Sequence, residues 1–234
     1  MKGKKRHIFS KVMWFDKKNC DKELFADLSR KREVSEHPRF KSGKSFSEKC
    51  QKDIQHESDL EKNFYLKLEK SKKVVYYWEQ PVKVPYWRGR IKTYTTPDVG
   101  VILKDLRVVI VEVKPFTGML DYKVQLKVEG LIKFCAEKGC GFLLTDGKNT
   151  IDTIRKVKCN RNLEKAILKA LTDDGVLRKA QCQEIMEQCN ATQYELLKVI
   201  FKHNLRYKSF SFKLQKENRN ELFHQVFYNG VKYE

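Results

Sequence analysis

The chain has 234 residues, enough for one large domain or two small ones with a buried core. Lys and Arg total 49 against 30 Asp and Glu, so the formal net charge is +19. This excess favours a polyanionic partner, of which nucleic acid is the commonest, over a basic surface that is only solvated. The hydrophobic content of 41% argues against disorder of the chain as a whole.

The sequence also argues against a membrane or secreted protein. No apolar run approaches the ~20 residues of a spanning helix. The basic start of the chain is not followed by the apolar core of a signal peptide. The seven cysteines contain no CxxC pair, so we expect reduced thiols and neither a zinc finger nor a redox motif. We therefore expect a cytoplasmic protein without a membrane partner, associated with the nucleoid.

Apolar periodicity and turn residues predict the elements in chain order. Residues 1–52 are polar, basic and weakly periodic, which indicates an N-terminal arm or extension. Ser58 with Glu61 fits a capping box at the start of a helix over 57–69. The elements that follow are predicted as strands at 74–78, 82–86, 91–96, 99–103, 109–113 and 141–145, with a helix at 121–138.

The chain turns polar near residues 156–162, and we place a domain boundary after residue 157. The elements beyond it are predicted as helices at 163–171, 178–189 and 193–203, then strands at 207–214, with Phe210 and Phe212 on one face, and at 223–228. Three short helices and a hairpin resemble a winged helix. The predicted fold is thus α/β, with a mixed central sheet flanked by helices at 53–157 and a smaller, mostly helical domain at 158–234.

The hairpin over 98–114 brings charged residues together. Asp98 and Glu112 are equally far from a turn centred on Asp105, so they face each other with Cβ atoms about 4.5–5.5 Å apart. Two carboxylates at this distance repel unless a divalent cation lies between them. Lys114 projects from the same face as Glu112. This set suits phosphodiester hydrolysis, in which oxygen ligands hold Mg²⁺ and the lysine orients the attacking water.

Pro97-Asp98 followed by Glu112-Val113-Lys114 resembles the PD-(D/E)xK signature of restriction-endonuclease-like nucleases. A larger set of residues resembles the TnsA endonuclease subunit of heteromeric bacterial transposases. This set comprises Glu57-Ser58-Asp59-Leu60-Glu61, Gln80-Pro81, Thr96-Pro97-Asp98 and Glu112-Val113-Lys114-Pro115. The resemblance spans residues 57–145 and implies a restriction-endonuclease-like core.

The resemblance implies an endonuclease that nicks DNA at transposon ends in cut-and-paste transposition, with Mg²⁺ as cofactor and Mn²⁺ able to replace it. Glu61, with Glu57 in reserve, is the implied acidic residue on the preceding helix that completes the metal site. The implied residues are Glu61, Asp98, Glu112 and Lys114 for catalysis, and Glu61, Asp98, Glu112 and Val113 for metal binding. The implied partners are DNA, a TnsB-like DDE transposase subunit and a TnsC-like AAA+ ATPase regulator, which the winged-helix-like domain contacts.

Two alternatives stay open. One is a stand-alone phage or restriction-type PD-(D/E)xK nuclease. The other, of a different class, is a catalytically inactive DNA-binding or assembly protein on a nuclease scaffold. Such a scaffold has no need of facing carboxylates, so the pair formed by Asp98 and Glu112 favours an enzyme.

Overall fold

The computed structural model describes residues 8–15, 42–216 and 221–228. These residues form two compact units. The first contains those within Met1–Pro115 and Gly130–Thr150, and the second those within Phe116–Glu129 and Ile151–Lys232. The division predicted from the sequence, 1–52, 53–157 and 158–234, stays a prediction. Residues 1–7 and 16–41 of the predicted arm lie outside the described residues.

The first unit is built on a five-stranded mixed sheet. The strands of this unit are β1 (Met13–Trp14), β2 (Gly43–Ser47), β3 (Lys52–His56), β4 (Val74–Glu79), β5 (Val84–Arg88), β6 (Ile91–Thr95), β7 (Val99–Leu103), β8 (Val108–Val113) and β9 (Gly141–Thr145). The sheet order is β1-β9-β8-β7-β4, with β8 and β9 parallel and the other neighbours antiparallel. Strands β2 and β3, and likewise β5 and β6, form separate two-stranded hairpins. The predicted α/β class with a mixed sheet is confirmed.

Helix α1 (Asp59–Lys70) begins directly after Ser58, the N-cap that the sequence predicted, and so two residues later than the predicted range of 57–69. The Ser58 side chain accepts a hydrogen bond from the Glu61 N–H, which satisfies one of the free donors at the helix start. Phe64 and Leu68, one turn apart, are buried in the core of the first unit together with Tyr65. The cap and the apolar stripe therefore fix both the start of α1 and the face that it buries.

The β7–β8 hairpin has the predicted register. Val99 pairs with Val111 and Val101 pairs with Val109. The turn contains Leu106 in a left-handed conformation with φ 64°. The odd-numbered valines of both strands lie in the core, as their alternation predicts. Continued by one residue, this register places Asp98 opposite Glu112.

Part of the predicted arm packs into the core of the first unit. Phe9 and Val12 are buried there, as is Cys50. Strand β1 pairs with β9 through Met13 and Phe142. The weak periodicity of this segment hides the packing because its apolar residues come from a 3-10 turn and a two-residue strand.

Helix α2 (Tyr122–Lys138) contributes its residues from Gly130 onward to the first unit. A Cβ atom at Gly130 would lie 2.7 Å from Cβ of Tyr86 and 2.9 Å from the carbonyl oxygen of Pro85. Real Cβ atoms do not approach other atoms so closely, so only glycine lets α2 pack against the start of β5. Gly139, with φ 65°, follows the helix as a left-handed cap residue.

The second unit is mostly helical and contains a three-stranded antiparallel sheet. Its elements are α3 (Ile151–Lys156), α4 (Arg161–Asp174), β10 (Val176–Arg178), α5 (Lys179–Gln188), α6 (Gln193–Lys202), β11 (Arg206–Lys208), β12 (Lys213–Gln215) and α7 (Glu221–Tyr228). The sheet order is β10-β12-β11. Leu177, Leu214 and Tyr207 lie side by side across it and are buried, so the alternate residues of the strands form its other face.

Two predictions for this unit are wrong. Residues 223–228 are helical, because Phe223, Val226 and Phe227 share one face at a spacing of three and four residues. Residues 207–214 are not one strand. They form the turn and inner ends of the β11–β12 hairpin, so Phe210 lies in the turn and is 96% exposed. Strand β10, which the sequence pattern did not predict, is too short to show alternation.

Two further features concern the described residues alone. No helix there is both long and apolar enough to cross a membrane. The six cysteines in this part of the chain form no disulfide, and Cys50, Cys135, Cys140 and Cys182 are buried.

Candidate active site

Asp98 lies immediately before β7, at the end of the β7–β8 hairpin that is opposite its turn. Its side chain is 16% exposed. The Oδ2 atom of Asp98 accepts a hydrogen bond of 2.6 Å from the N–H of Val113. The carboxylate is therefore held against the end of β8 by the strand register and by the main chain.

Glu112 and Lys114 lie at the end of β8. The six residues of this strand are all buried, and the Glu112 side chain is 2% exposed. The Nζ atom of Lys114 lies 2.8 Å from Oε1 of Glu112 and 3.0 Å from Oδ2 of Asp98. The ammonium group thus bridges the two carboxylates that the sequence predicted to face each other.

Two opposing effects set the charge of Lys114. Burial by itself lowers its pKa, because desolvation disfavours the charged ammonium. The charges of Asp98 and Glu112, and their hydrogen bonds to Nζ, outweigh burial and raise the pKa above its ordinary value. Lys114 is therefore a permanent cation at neutral pH, and it offsets the repulsion between the carboxylates.

Glu61 lies in the first turn of α1, and its carboxylate accepts hydrogen bonds from the Glu57 N–H at 2.8 Å and the Ser58 hydroxyl at 3.1 Å. Burial and the nearby charge of Asp98 raise its pKa to about 7, while these hydrogen bonds and Lys114 act in the opposite direction. Glu61 therefore caps its helix and also lies within electrostatic reach of the bridged carboxylates. Its role as a metal ligand stays a prediction.

The donor atoms predicted for a metal at this end of the hairpin are all oxygen atoms. Val113 can offer only its carbonyl oxygen, which accepts a hydrogen bond of 3.1 Å from Nζ of Lys114. With the carboxylates of Glu61, Asp98 and Glu112 it makes an all-oxygen set, the kind that Mg²⁺ prefers. Within the described ranges, no three His, Cys, Asp or Glu residues stand in an arrangement that could hold a metal. The cation that joins the carboxylates here is the Lys114 ammonium.

Two residues that were not assigned to the site hold Asp98 in place. Its carbonyl oxygen accepts hydrogen bonds from the Gln80 N–H at 3.0 Å and from the Tyr65 hydroxyl at 3.4 Å. Gln80 has φ 48°, a left-handed conformation that is uncommon outside glycine and is often found at functional sites. Its side-chain amide donates to Oε1 of Glu57 at 2.9 Å, so the reserve candidate Glu57 lies beside Gln80.

The sequence contained a signal for each of these residues. Tyr65 is four residues after Glu61, which places both on one face of α1. Gln80 is a polar residue between a predicted strand and a proline, a position where side-chain amides and backbone turns meet. Neither signal indicates Asp98 as the partner, because that contact depends on tertiary packing.

The sequence matches no protein-family model, and no curated protein matches it significantly. The resemblance to TnsA and to the PD-(D/E)xK nucleases therefore stays a prediction from the residues themselves.

Proposed function

We propose that this protein is a Mg²⁺-dependent DNA endonuclease with a restriction-endonuclease-like core and a PD-(D/E)xK site. The observation that carries the proposal is the Lys114 ammonium between Asp98 and Glu112, with Glu61 close by. Removing charges from water costs several kcal/mol per ion, and apolar residues of similar volume often stabilise a core as well or better. A cluster of this kind at a strand end is therefore better explained by chemistry than by folding.

Each residue has a definite task in the proposed reaction. Asp98, Glu112 and Glu61, with the carbonyl oxygen of Val113, would hold the metal. When bound, Mg²⁺ lowers the pKa of a coordinated water and offsets charge on the phosphate. Lys114 donates hydrogen bonds from Nζ to the attacking water and to a phosphate oxygen, and its charge opposes the negative charge that develops in the transition state. The β7–β8 hairpin keeps the groups of residues 98–114 in place before the substrate binds, and the first turn of α1 keeps Glu61 in place.

DNA is the proposed substrate because a row of basic residues in the second unit has no acidic partner among the described residues. Arg178, Lys213 and Lys208 lie opposite one another across β10, β12 and β11. Like charges directly opposite destabilise a sheet, and none of the three forms an ion pair within the part of the chain described here. Phosphate groups would neutralise them, in keeping with the net charge of +19.

We further propose the TnsA-type role, nicking at transposon ends together with a TnsB-like DDE transposase and a TnsC-like AAA+ ATPase. Its support is the combination of motifs from Glu57 to Pro115. The element order of the second unit, helix, strand, two helices and two strands from α4 to β12, is the order of a winged helix and supports the proposed winged-helix-like domain.

Strand cleavage and metal binding together test the proposed function. The variant Asp98→Asn removes a charge from the candidate site, and Asp105→Asn makes the same change at the turn of the same hairpin, where the carboxylate pairs with Arg107. We expect Asp98→Asn to lower the nicking rate with Mg²⁺ or Mn²⁺ by about 10²–10³-fold and to weaken Mg²⁺ binding in calorimetry. Asp105→Asn should behave as the wild type.

The outcomes separate the alternatives. Nicking that needs the transposase and the ATPase supports the TnsA-type role, and nicking by the purified chain alone supports a stand-alone nuclease. A wild type that neither binds Mg²⁺ nor nicks, with or without these partners, would mean an inactive DNA-binding or assembly protein. Equal nicking by both variants would contradict the assignment of Asp98.

A further inference from the structure

The β5–β6 hairpin stands out from the sheet of the first unit. Among the described residues its strands pair only with each other, from Val84 opposite Thr95 to Arg88 opposite Ile91. Gly89, with φ 63°, forms its turn. An isolated two-stranded hairpin is marginally stable in water, so its position depends on what holds its base.

The base of this hairpin is fixed beside the candidate site. Val84 and Thr95 are buried there, and the face with Tyr86 packs against Gly130 of α2. The hydrogen bond from the Gln80 N–H to the Asp98 carbonyl joins the main chain before β5 to the main chain after β6, and it closes the base of the hairpin. Asp98 follows β6 after only two intervening residues, so the hairpin and the carboxylate cluster share one short stretch of main chain.

The rest of the hairpin exposes large apolar side chains. Trp87 is 57% exposed, Ile91 70% and Tyr94 51%. Trp87 lies opposite Lys92, and Tyr94 is two residues beyond Lys92 on the same strand face. This face, which points away from the face that packs on Gly130, therefore carries two aromatic side chains with a cation adjacent to both.

The charges of the hairpin are of one sign. Residues 83–95 contain Lys83, Arg88, Arg90 and Lys92 and no acidic residue. None of the four forms an ion pair among the described residues. The Nζ atom of Lys83 lies 4.9 Å from the centre of the Tyr94 ring. Unneutralised cations interleaved with exposed rings suit a polyanion whose bases can stack on aromatic side chains.

We propose that the β5–β6 hairpin binds DNA that has unpaired bases next to the phosphate to be cut. Trp87 and Tyr94 stack on those bases, and Arg88, Arg90 and Lys92 contact the phosphates on either side. The preference for unpaired bases follows from the rings, because bases in an intact duplex already stack on each other. The statement that the bound phosphate is the one to be cut rests on the proposed nuclease function, whereas the binding of DNA by the hairpin does not.

DNA binding measured in EDTA tests this interaction without any contribution from a metal centre. The full-length protein is titrated with a labelled single strand, a forked duplex and a blunt duplex of one sequence, and fluorescence anisotropy gives each Kd. We expect Trp87→Ala to weaken binding to the single strand and the fork about tenfold and to the blunt duplex less than about threefold. Trp87→Phe, which keeps a ring, should restore most of the lost binding.

The β2–β3 hairpin provides the matched control. It is also a separate two-stranded hairpin of the first unit, with Phe46 58% exposed and Lys44 exposed beside it. Phe46→Ala should leave all three affinities as in the wild type. The triple variant Arg88→Gln, Arg90→Gln, Lys92→Gln should reduce the slope of log K against log salt by about 2–3 for all three DNAs.

Two results would overturn the proposal. One is the same affinity profile for Trp87→Ala and Phe46→Ala when both variants have the thermal melt of the wild type. The other is an unchanged salt slope for the triple variant, which would mean that another partner, such as a protein or an anionic membrane, occupies this surface. A lack of nuclease activity would change neither of these two binding results, because Mg²⁺ binding and cleavage test the nuclease function separately.

Discussion

The β5–β6 and β7–β8 hairpins follow each other in the chain, yet they have opposite physical properties. The β7–β8 pair lies inside the mixed sheet between β4 and β9, and every residue of β8 is buried. The β5–β6 pair has no further strand beside it in the described part of the chain, and it exposes Trp87, Ile91 and Tyr94. The β7–β8 hairpin has the rigidity that a carboxylate cluster needs. The β5–β6 hairpin has the accessible surface that a large substrate would need.

The two hairpins also treat charge differently. At the end of β8, the negative charges of Asp98 and Glu112 surround one ammonium, and all of these groups are largely buried. Along β5 and β6, the cations face solvent and form no ion pair with any residue that the structure describes. Paired charge within a core and exposed charge on a surface thus lie on one continuous segment, as the substrate-binding role proposed for the β5–β6 hairpin requires.

The largest test of this contrast is a matched pair of isoleucines. Ile110 of β8 is fully buried, whereas Ile91 of β6 is 70% exposed. We expect Ile110→Ala to lower the free energy of unfolding by about 4 kcal/mol and Ile91→Ala to change it by less than about 0.5 kcal/mol. Urea denaturation measures both changes, and similar losses would mean that β5 and β6 are packed against something in solution.

The next test uses pH. The pKa of Glu61 is raised to about 7, so its stabilising contribution is complete below its ordinary pKa and is lost as pH rises through 7. The wild type should therefore lose on the order of 3 kcal/mol relative to Glu61→Gln between pH 4.5 and pH 8. The amide oxygen of Gln can accept only one of the two hydrogen bonds that the Glu61 carboxylate accepts, so the pH dependence of the difference, and not its size at one pH, reports the charge.

A carboxylate of the second unit supplies a control of opposite sign. Hydrogen bonds from Lys202 and His203 lower the pKa of Glu164 to about 2. Its contribution is therefore present above its ordinary pKa and is lost as pH falls. The stability of the wild type relative to Glu61→Gln should therefore fall as pH rises, and its stability relative to Glu164→Gln should fall as pH drops. The same direction of change for both variants would contradict the environment described for Glu61.

The smallest expected effect compares the two ends of the β7–β8 hairpin. Lys114 and its carboxylate partners are largely buried, whereas the Arg107–Asp105 pair at the turn is 35% and 51% exposed. We expect Lys114→Met to cost about 2 kcal/mol, because it leaves buried carboxylates without a cation, and Arg107→Met to cost less than about 1 kcal/mol. Thermal unfolding measures both, and added Mg²⁺ should recover part of the loss only in Lys114→Met.

The part of the site that lies on the β7–β8 hairpin could be predicted from the sequence, because a short turn and strict alternation determine the register. Once Val99 and Val111 face each other, Asp98 and Glu112 follow without knowledge of the rest of the fold. The start of α1 at Ser58 could be predicted for a similar reason, since a capping box is a local pattern.

Other features depend on packing that no local pattern describes. The contacts of Gln80 and Tyr65 with Asp98 arise where β4, α1 and β7 meet. Residues 223–228 contain apolar side chains that fit either a strand or a helix, and burial of Phe223 and Val226 decides for the helix. Strands β5 and β6 were predicted, but their exposure was not, because an amphipathic strand with aromatic residues has the same composition whether it is covered or free.

The pairing of β5 with β6 limits how this segment can change length. Side chains alternate between the two faces of a strand, so one extra residue in each strand would turn the Trp87 side over to the face that packs on Gly130. Two extra residues in each strand keep the faces and move the turn outward by about 6.6 Å. Insertions that preserve this surface must therefore add an even number of residues to each strand. Relatives of this protein should differ in the length of each strand of the hairpin by two residues or a multiple of two.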